Sequence, residues 1–347
     1  MVSAQGLVSV EWLTAPNDSA SRNASDSGNE YCYRVAAARK LKNPRSVLAA
    51  GLFAGLALVG TGCVGRSQSA PVAPGGVLQV VAAENFWGSI AAQLGGSRVH
   101  VTSVITSPAT DPHDYEPTAS DARTMAGAQM AILNGIGYDP WAQKLLDANP
   151  VHGRIVLNIG DLVRIKRGGN PHRWYSPSDV QRTIDAIVGD YNKLDPKNGG
   201  YFAGQKARFE TTGLAEYKRL ISTIKRRYHG VPVGASESIF APLAHALGLR
   251  LVTPPTFLKA ISEGTEPTAA DKTTVDRQIA DGLIKVWVYN SQNGTPDVKR
   301  ITEAARKRGI PVTTITETLV PPSAGFQEWQ SHQLEALSAA LSQATGR

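Results

Sequence analysis

Apolar and polar positions change period repeatedly from Val77 onward. Short continuous apolar runs, the signature of strands buried on both faces, recur at Val77–Ala83, Val99–Ile105, Met130–Leu133 and Arg154–Leu157. Between them lie segments with helical spacing. One opens at Asn85, a residue able to cap it, and continues through Trp87, Ile90 and Leu94; others cover Asp121–Gln129 and Trp141–Leu146. A second series begins at Val231–Ala235 and continues with strands at Leu249–Val252, Ile284–Tyr289 and Pro311–Ile315. Helices are expected across Val275–Ala280, Val298–Arg308 and Glu328–Leu341. Strand–helix alternation of this kind predicts an α/β fold of two lobes, each built on a mostly parallel sheet.

Between the two series, Phe209, Leu214, Tyr217, Leu220, Ile221 and Ile224 fall at helical spacing with no proline, so Phe202–Arg227 reads as one long stiff helix, weakened slightly at Gly213. The expected division is a signal region over 1–62, a linker over 63–76, an N-terminal lobe over 77–200, a connecting helix over 201–228 and a C-terminal lobe over 229–347. Two lobes joined this way leave a cleft, a preferred place for a ligand.

The first part of the chain follows a different pattern. Residues 1–37 are polar and aperiodic. A basic patch, Arg39-Lys40-Leu41-Lys42-Asn43-Pro44-Arg45, then precedes an apolar run from Ser46 to Gly60. That order is the order of a secretion signal, and the run is short beside the roughly 20 residues of a bilayer span. It ends in Gly60-Thr61-Gly62-Cys63, which resembles the lipobox of bacterial lipoprotein precursors. The resemblance implies a lipid anchor at Cys63 and a location on the outer face of the cell membrane. A leucine is commoner at the position of Gly60, and a small buried or free cysteine is the other reading. Residues 1–37 are unusual ahead of a signal, and a start codon assigned too far upstream would explain them.

The chain has two cysteines, Cys32 and Cys63, so after cleavage before Cys63 no disulfide is possible and thiolate chemistry is excluded. Apolar residues make up 42% and charged residues 19% of 347, an ordinary globular composition. The net charge of +7 is spread in short clusters such as Lys225-Arg226-Arg227. Without a basic stripe interleaved with aromatics, nucleic acid is not an expected partner.

Two histidines stand in unusual surroundings. Asp111-Pro112-His113-Asp114-Tyr115-Glu116-Pro117-Thr118 follows a strand of the first lobe, where open α/β sheets place ligand residues. Prolines restrict the backbone around His113, which suits a ligand. It reads otherwise as a loop histidine bonded to Asp111 or Glu116. His172 has a similar setting in Asn170-Pro171-His172-Arg173-Trp174-Tyr175-Ser176-Pro177.

This order of features resembles the bacterial solute-binding proteins that serve ABC importers of zinc, manganese or iron, over roughly residues 77–345. The resemblance implies two α/β lobes joined by a rigid helix, with one metal ion held between them by four side chains. The DPHxYEPT motif matches at His113, and an Asp-Pro-His-x-Trp motif matches at His172, with Asn170 in place of aspartate. A third position after the first strand of the second lobe falls on Glu237 in Ser236-Glu237-Ser238-Ile239-Phe240. The fourth is typically aspartate and falls here on Glu317.

The implied ligand set is therefore His113, His172, Glu237 and Glu317. Two imidazoles and two carboxylates suit a divalent transition metal and partly neutralise its charge. Zinc and manganese both remain open. The resemblance also implies an ABC permease and its ATPase as partners, a monomeric chain and no catalysis. Glu237 reads otherwise as a helix cap, and Glu317 as a loop acid. Three other functions stay open: a lipoprotein binding an organic solute such as a siderophore, using Arg173, Trp174 and Tyr175; a secreted metallohydrolase; and a surface adhesin. The chain has no His-Glu-x-x-His or Gly-x-Ser-x-Gly sequence, which weighs against hydrolysis. Asn290–Thr295 is expected to be a loop after a strand, lining the cleft, and Trp141 and Trp287 to be core residues.

Overall fold

The computed structural model describes residues 76–110, 112 and 115–347. The signal region, Cys63, Asp111, His113 and Asp114 lie outside the described residues. The first lobe runs β1 (Leu78–Glu84), α1 (Asn85–Gly95), β2 (Val99–Ile105), α2 (Ala119–Gly127), β3 (Met130–Leu133), α3 (Pro140–Ala148), β4 (Ile155–Asn158), α4 (Ile159–Val163) and α5 (Pro177–Leu194). Then come α6 (Gly199–Arg208) and α7 (Ala215–Tyr228). The second lobe follows with β5 (Pro232–Ala235), α8 (Ala241–Ala246), β6 (Arg250–Leu251), α9 (Pro255–Ser262), α10 (Ala269–Ala280), β7 (Val286–Asn290), α11 (Pro296–Lys307), β8 (Val312–Ile315) and α12 (Phe326–Thr345).

Each lobe holds a four-stranded, all-parallel sheet, ordered β2-β1-β3-β4 in one and β6-β5-β7-β8 in the other. The strand order is therefore the same in both. In register, Val80 lies opposite Val101 and Met130, and Val233 opposite Leu251 and Val286. The order reverses at the β1/β3 and β5/β7 pairs, so the carboxyl ends of these strands frame the two halves of a crevice. The two-lobed parallel architecture expected from the alternating pattern is the one observed.

A continuous apolar cluster runs from α1 and α5 through α7 to α12 and includes strand residues of both sheets. Within it Phe86 and Trp174 stack with ring centroids 4.0 Å apart, and Tyr175 meets Trp329 at 5.7 Å. Smaller clusters cover the remaining sheet faces, around Trp141 in the first lobe and around Trp287 in the second. Both tryptophans are core residues, and Trp287 donates its indole N–H to Thr302.

Two readings of the pattern need correction, and one helix is not announced by it. The connection between the lobes is helical but not one α-helix. A π turn over Phe209–Gly213 separates α6 from α7, closed by the Leu214 N–H on the Phe209 carbonyl at 2.7 Å. Asn85 does not cap α1; its amide oxygen accepts the Leu319 N–H of the second lobe at 3.3 Å, and Glu84 holds the capping position without a side-chain bond. Helix α5 went unassigned although Val180, Ile184, Ile187, Val188 and Tyr191 form its buried stripe, because Asp179, Thr183 and Asp190 are buried on it too and blur the polar face.

Trp174 is fully buried against Phe86, Tyr138 and His172. Trp174→Ala is expected to lose about 3–5 kcal/mol of stability, read as a lowered denaturation midpoint. An unchanged midpoint would contradict this packing.

Candidate metal centre

Glu237, Glu317 and His172 reach one region from three loops at the carboxyl ends of the sheets. After β5 the chain turns through Ser236, whose hydroxyl accepts the Asn290 N–H at 3.0 Å. Glu237 follows in extended conformation and precedes a short 3-10 turn that it does not cap through its side chain. Its carboxylate is 1% exposed. One oxygen accepts from Asn290 Nδ2 at 2.5 Å and the other from Asn293 Nδ2 at 2.7 Å. These two neutral donors hold the buried charge in place.

Glu317 lies beyond β8. Its backbone N–H donates to the Gln292 side chain at 2.6 Å, and that same side chain donates to the Pro108 carbonyl of the first lobe at 2.8 Å. The Glu317 carboxylate accepts from Tyr138 Oη at 2.5 Å and from Asn290 Nδ2 at 3.1 Å. His172 Nε2 stands 3.9 Å from Glu317 Oε1. Two donors on one ion with bonds near 2.1 Å are separated by about 3.4 Å in tetrahedral geometry, so a small inward movement suffices for both to reach the same ion.

The protonation of His172 follows from its neighbours. Asn170 donates its amide N–H to the Ser238 carbonyl at 2.7 Å, which turns its Oδ1 toward the histidine. That oxygen accepts from the His172 backbone N–H at 3.0 Å and pairs with Nδ1 at 2.8 Å. Nδ1 therefore carries the proton in the neutral ring, and Nε2, on the Glu317 side, is the nitrogen with the lone pair. Asn170 supplies this acceptor without a formal charge.

Among the described residues, no three His, Cys, Asp or Glu side chains form a ready metal cluster. The structure brings Glu237 and Glu317 to either side of Asn290, with His172 beside Glu317. The remaining candidate, His113, lies outside the described residues. Adjacent to Glu317 opens a cavity of about 460 Å³, bounded by Pro108–Thr110 of one lobe and by Ser262–Gly264, Asn290 and Gln292–Thr295 of the other. Among the described residues its lining contains no aromatic residue, lysine or arginine.

Several residues of the site were not singled out from sequence. Tyr138 is brought to Glu317 by a left-handed turn, Gly135-Ile136-Gly137, with φ of 72°, 62° and 94°. At Gly135 a Cβ would lie 2.1 Å from Asn158 Oδ1, so the turn requires glycine there. Below the site, Glu84 and Asp139 form a buried acid pair. Asp139 accepts the N–H groups of Asn134 at 2.7 Å and Gly135 at 2.8 Å, whereas among the described residues no N–H reaches the Glu84 oxygens, which face the Asp139 carboxyl. Burial raises the Glu84 pKa well above the ordinary carboxylate value, and the neighbouring Asp139 raises it further. Burial also pushes Asp139 up to about 6, against the backbone N–H bonds that hold it down.

The family model described as zinc-uptake complex component A, periplasmic, matches residues 80–340. A manganese-binding lipoprotein MntA of Halalkalibacterium halodurans is 26% identical over 150 residues, 41% of this chain and about half (47%) of that relative's length. The metal ABC transporter substrate-binding lipoprotein FimA of Streptococcus parasanguinis is 23% identical over 78% of this chain and 88% of its own. In fold, the chain is similar to the manganese-bound periplasmic metal-binding protein of Candidatus Liberibacter asiaticus. The TM-score is 0.62 at 18% identity, covering 76% of this chain and 98% of that one.

Both acids of the buried pair bind protons more tightly in the folded than in the unfolded chain. Their contribution to stability is therefore present at low pH and is lost as pH rises through the folded pKa values. The metal-free chain is expected to melt at lower temperature at pH 8 than at pH 5, and Glu84→Gln to flatten that slope. Parallel slopes for the two proteins would contradict the shared burial of these acids.

Proposed function

The chain belongs to the zinc-uptake complex component A family, and from that premise we propose that it captures one divalent transition-metal ion, zinc or manganese, outside the cytoplasm and delivers it to an ABC permease driven by its ATPase. Anchoring through a lipid on Cys63 goes with this reading and keeps the chain at the outer face of the membrane. The ligands assigned are His172, Glu237 and Glu317, with His113 as the fourth. The observation that carries the reading is Glu317: a carboxylate between the lobes, tied to Tyr138 of one and Asn290 of the other, with the lone-pair nitrogen of His172 beside it.

The mixed donor set suits the cargo. Imidazole nitrogen and carboxylate oxygen together bind zinc and manganese without the selectivity that thiolates would impose. His172 would bind through Nε2, and its Nδ1–H bond to Asn170 sets the ring orientation. Glu237, held by Asn290 and Asn293, supplies negative charge from the second lobe. Ligands drawn from both lobes link metal occupancy to the closed arrangement of the cleft.

An organic solute is less well supported. Trp174 and Tyr175 are fully buried in the core, and Arg173 is paired with Asp179, so none of these residues lines the cavity beside Glu317.

Chelator-stripped protein is expected to bind one equivalent of zinc or manganese by calorimetry and to gain thermal stability on binding. His172→Ala should lower affinity by at least about 100-fold, on the order of 3 kcal/mol for a lost ligand. Glu317→Gln should cost less, because the amide keeps an acceptor oxygen. Wild-type affinity in His172→Ala would refute the assignment of that ligand. Asn293→Ala, which frees one Glu237 oxygen from its donor, should weaken binding by no more than about tenfold.

A further inference from the structure

The topology collects on one face of the second lobe the charge that the sequence scatters. In a parallel α/β lobe the strands all start at one end, and the helices antiparallel to them finish there. In this lobe that end lies opposite the one carrying Glu237, Asn290 and Glu317. Arg226 and Arg227 finish α7, Arg250 opens β6, Lys285 immediately precedes β7, and Lys307 and Arg308 finish α11 before β8. All six are exposed. Among the described residues none of the six has an acidic partner within ion-pairing distance. Two acids lie near them in sequence. Asp281 follows α10, and Glu303 lies about one turn before the end of α11, 3.9 Å from Arg306.

The face is also indented. A recess of about 350 Å³ is bounded by Gly282, Lys285, Arg308, Gly309 and Pro311, which sets an ammonium and a guanidinium beside a space large enough for a phosphoryl group. Arg308 is steered by its Nε–H bond to the Ala280 carbonyl at 3.0 Å, and Lys285 Nζ donates to the Gly282 carbonyl at 3.1 Å. Cations near helix C-termini favour the helix dipole, and that accounts for Arg226, Arg227, Lys307 and Arg308 taken singly. It does not account for Arg250 and Lys285, which stand at strand starts, or for the scarcity of balancing acids.

We propose that this face docks on anionic phospholipid headgroups of the membrane to which the chain is anchored. The proposal rests on the extracytoplasmic, membrane-anchored reading above. Juxtaposed lysines and arginines gain about 1 kcal/mol each at an anionic bilayer, and a tether at Cys63 keeps the face within reach of one. Among the described residues the patch offers no exposed aromatic for base stacking, since Tyr228, beneath Arg227, is itself buried, so headgroups fit it better than nucleic acid. Because the face lies opposite the cleft, a molecule resting on it turns the cleft toward the exterior. That orientation is suited to capture, and release from the lipid precedes delivery.

The test uses the chain from residue 63 onward carrying Cys63→Ser, which lacks the basic and apolar signal run and cannot be acylated, in flotation with vesicles of phosphatidylcholine alone or mixed with phosphatidylglycerol. Stronger flotation with the mixed vesicles, falling as salt is raised, is expected. The triple variant Arg250→Glu, Lys285→Glu, Arg308→Glu should lose at least about 100-fold of that lipid-charge-dependent partitioning. Arg226→Glu with Arg227→Glu should lose at least about tenfold and serves as a second variant should the triple one melt early. Equal flotation on both vesicle types, or partitioning unaffected by either variant, would overturn the proposal, as would binding to duplex DNA without binding to vesicles. Metal titration of the same variants is expected to match the unreversed chain, so failure of the docking face and failure of the metal site are read separately.

Discussion

The Glu317 carboxylate is the point on which the two lobes depend. It is largely withdrawn from water, and its described donors come from both sides of the cleft, Tyr138 from the first lobe and Asn290 from the second. A desolvated carboxylate is costly without compensating charge or hydrogen bonds. Here neutral donors compensate in part, and Glu237 lies just across Asn290 with the same need. A buried carboxylate and a largely buried one sharing one amide make the floor of the cleft receptive to positive charge. A divalent cation is the economical solution to that local excess.

The supporting structure follows from this demand. Parallel strands direct their carboxyl ends into one crevice, so loops from four of them can supply side chains to one region. The core that continues beneath both sheets, through α1, α5, α7 and α12, holds the lobes in one body. Cross-lobe bonds then fix the fine alignment: Asn85 to Leu319, Gln292 to Pro108, Tyr175 to the Thr316 carbonyl and Asn170 to the Ser238 carbonyl. None of these bonds is strong alone. Together they set the distance between His172 and the carboxylates of the opposite lobe.

Most of the architecture was legible in the sequence, since buried parallel strands appear as unbroken apolar runs and their helices as 3.6-residue stripes. Glu237 and Glu317 were singled out only through the resemblance to metal-importer binding proteins, and the structure sets both beside Asn290. What stayed hidden depends on distance along the chain. Tyr138 and Glu317 are 179 residues apart and Glu237 and Asn290 are 53 apart, and no local pattern announces such pairs. Asn85 looked like a cap because its local role and its distant one use the same residue type. The π turn at Phe209–Gly213 leaves the apolar spacing almost unchanged, so periodicity could not reveal it. A clearer signal was available for Tyr138: the Gly135-Ile136-Gly137 sequence directly after a strand marks a turn of special geometry, and such turns often present side chains to a site.

The central claim is that one metal ion bridges the lobes through His172, Glu237 and Glu317. Anomalous diffraction from a crystal grown with zinc, and from another with manganese, tests it most directly. The account predicts one strong peak in the cleft, about 2.0–2.3 Å from His172 Nε2 and from an oxygen of each glutamate. A peak elsewhere on the molecule, or a cleft without one when metal is bound in stoichiometric amount, would contradict it.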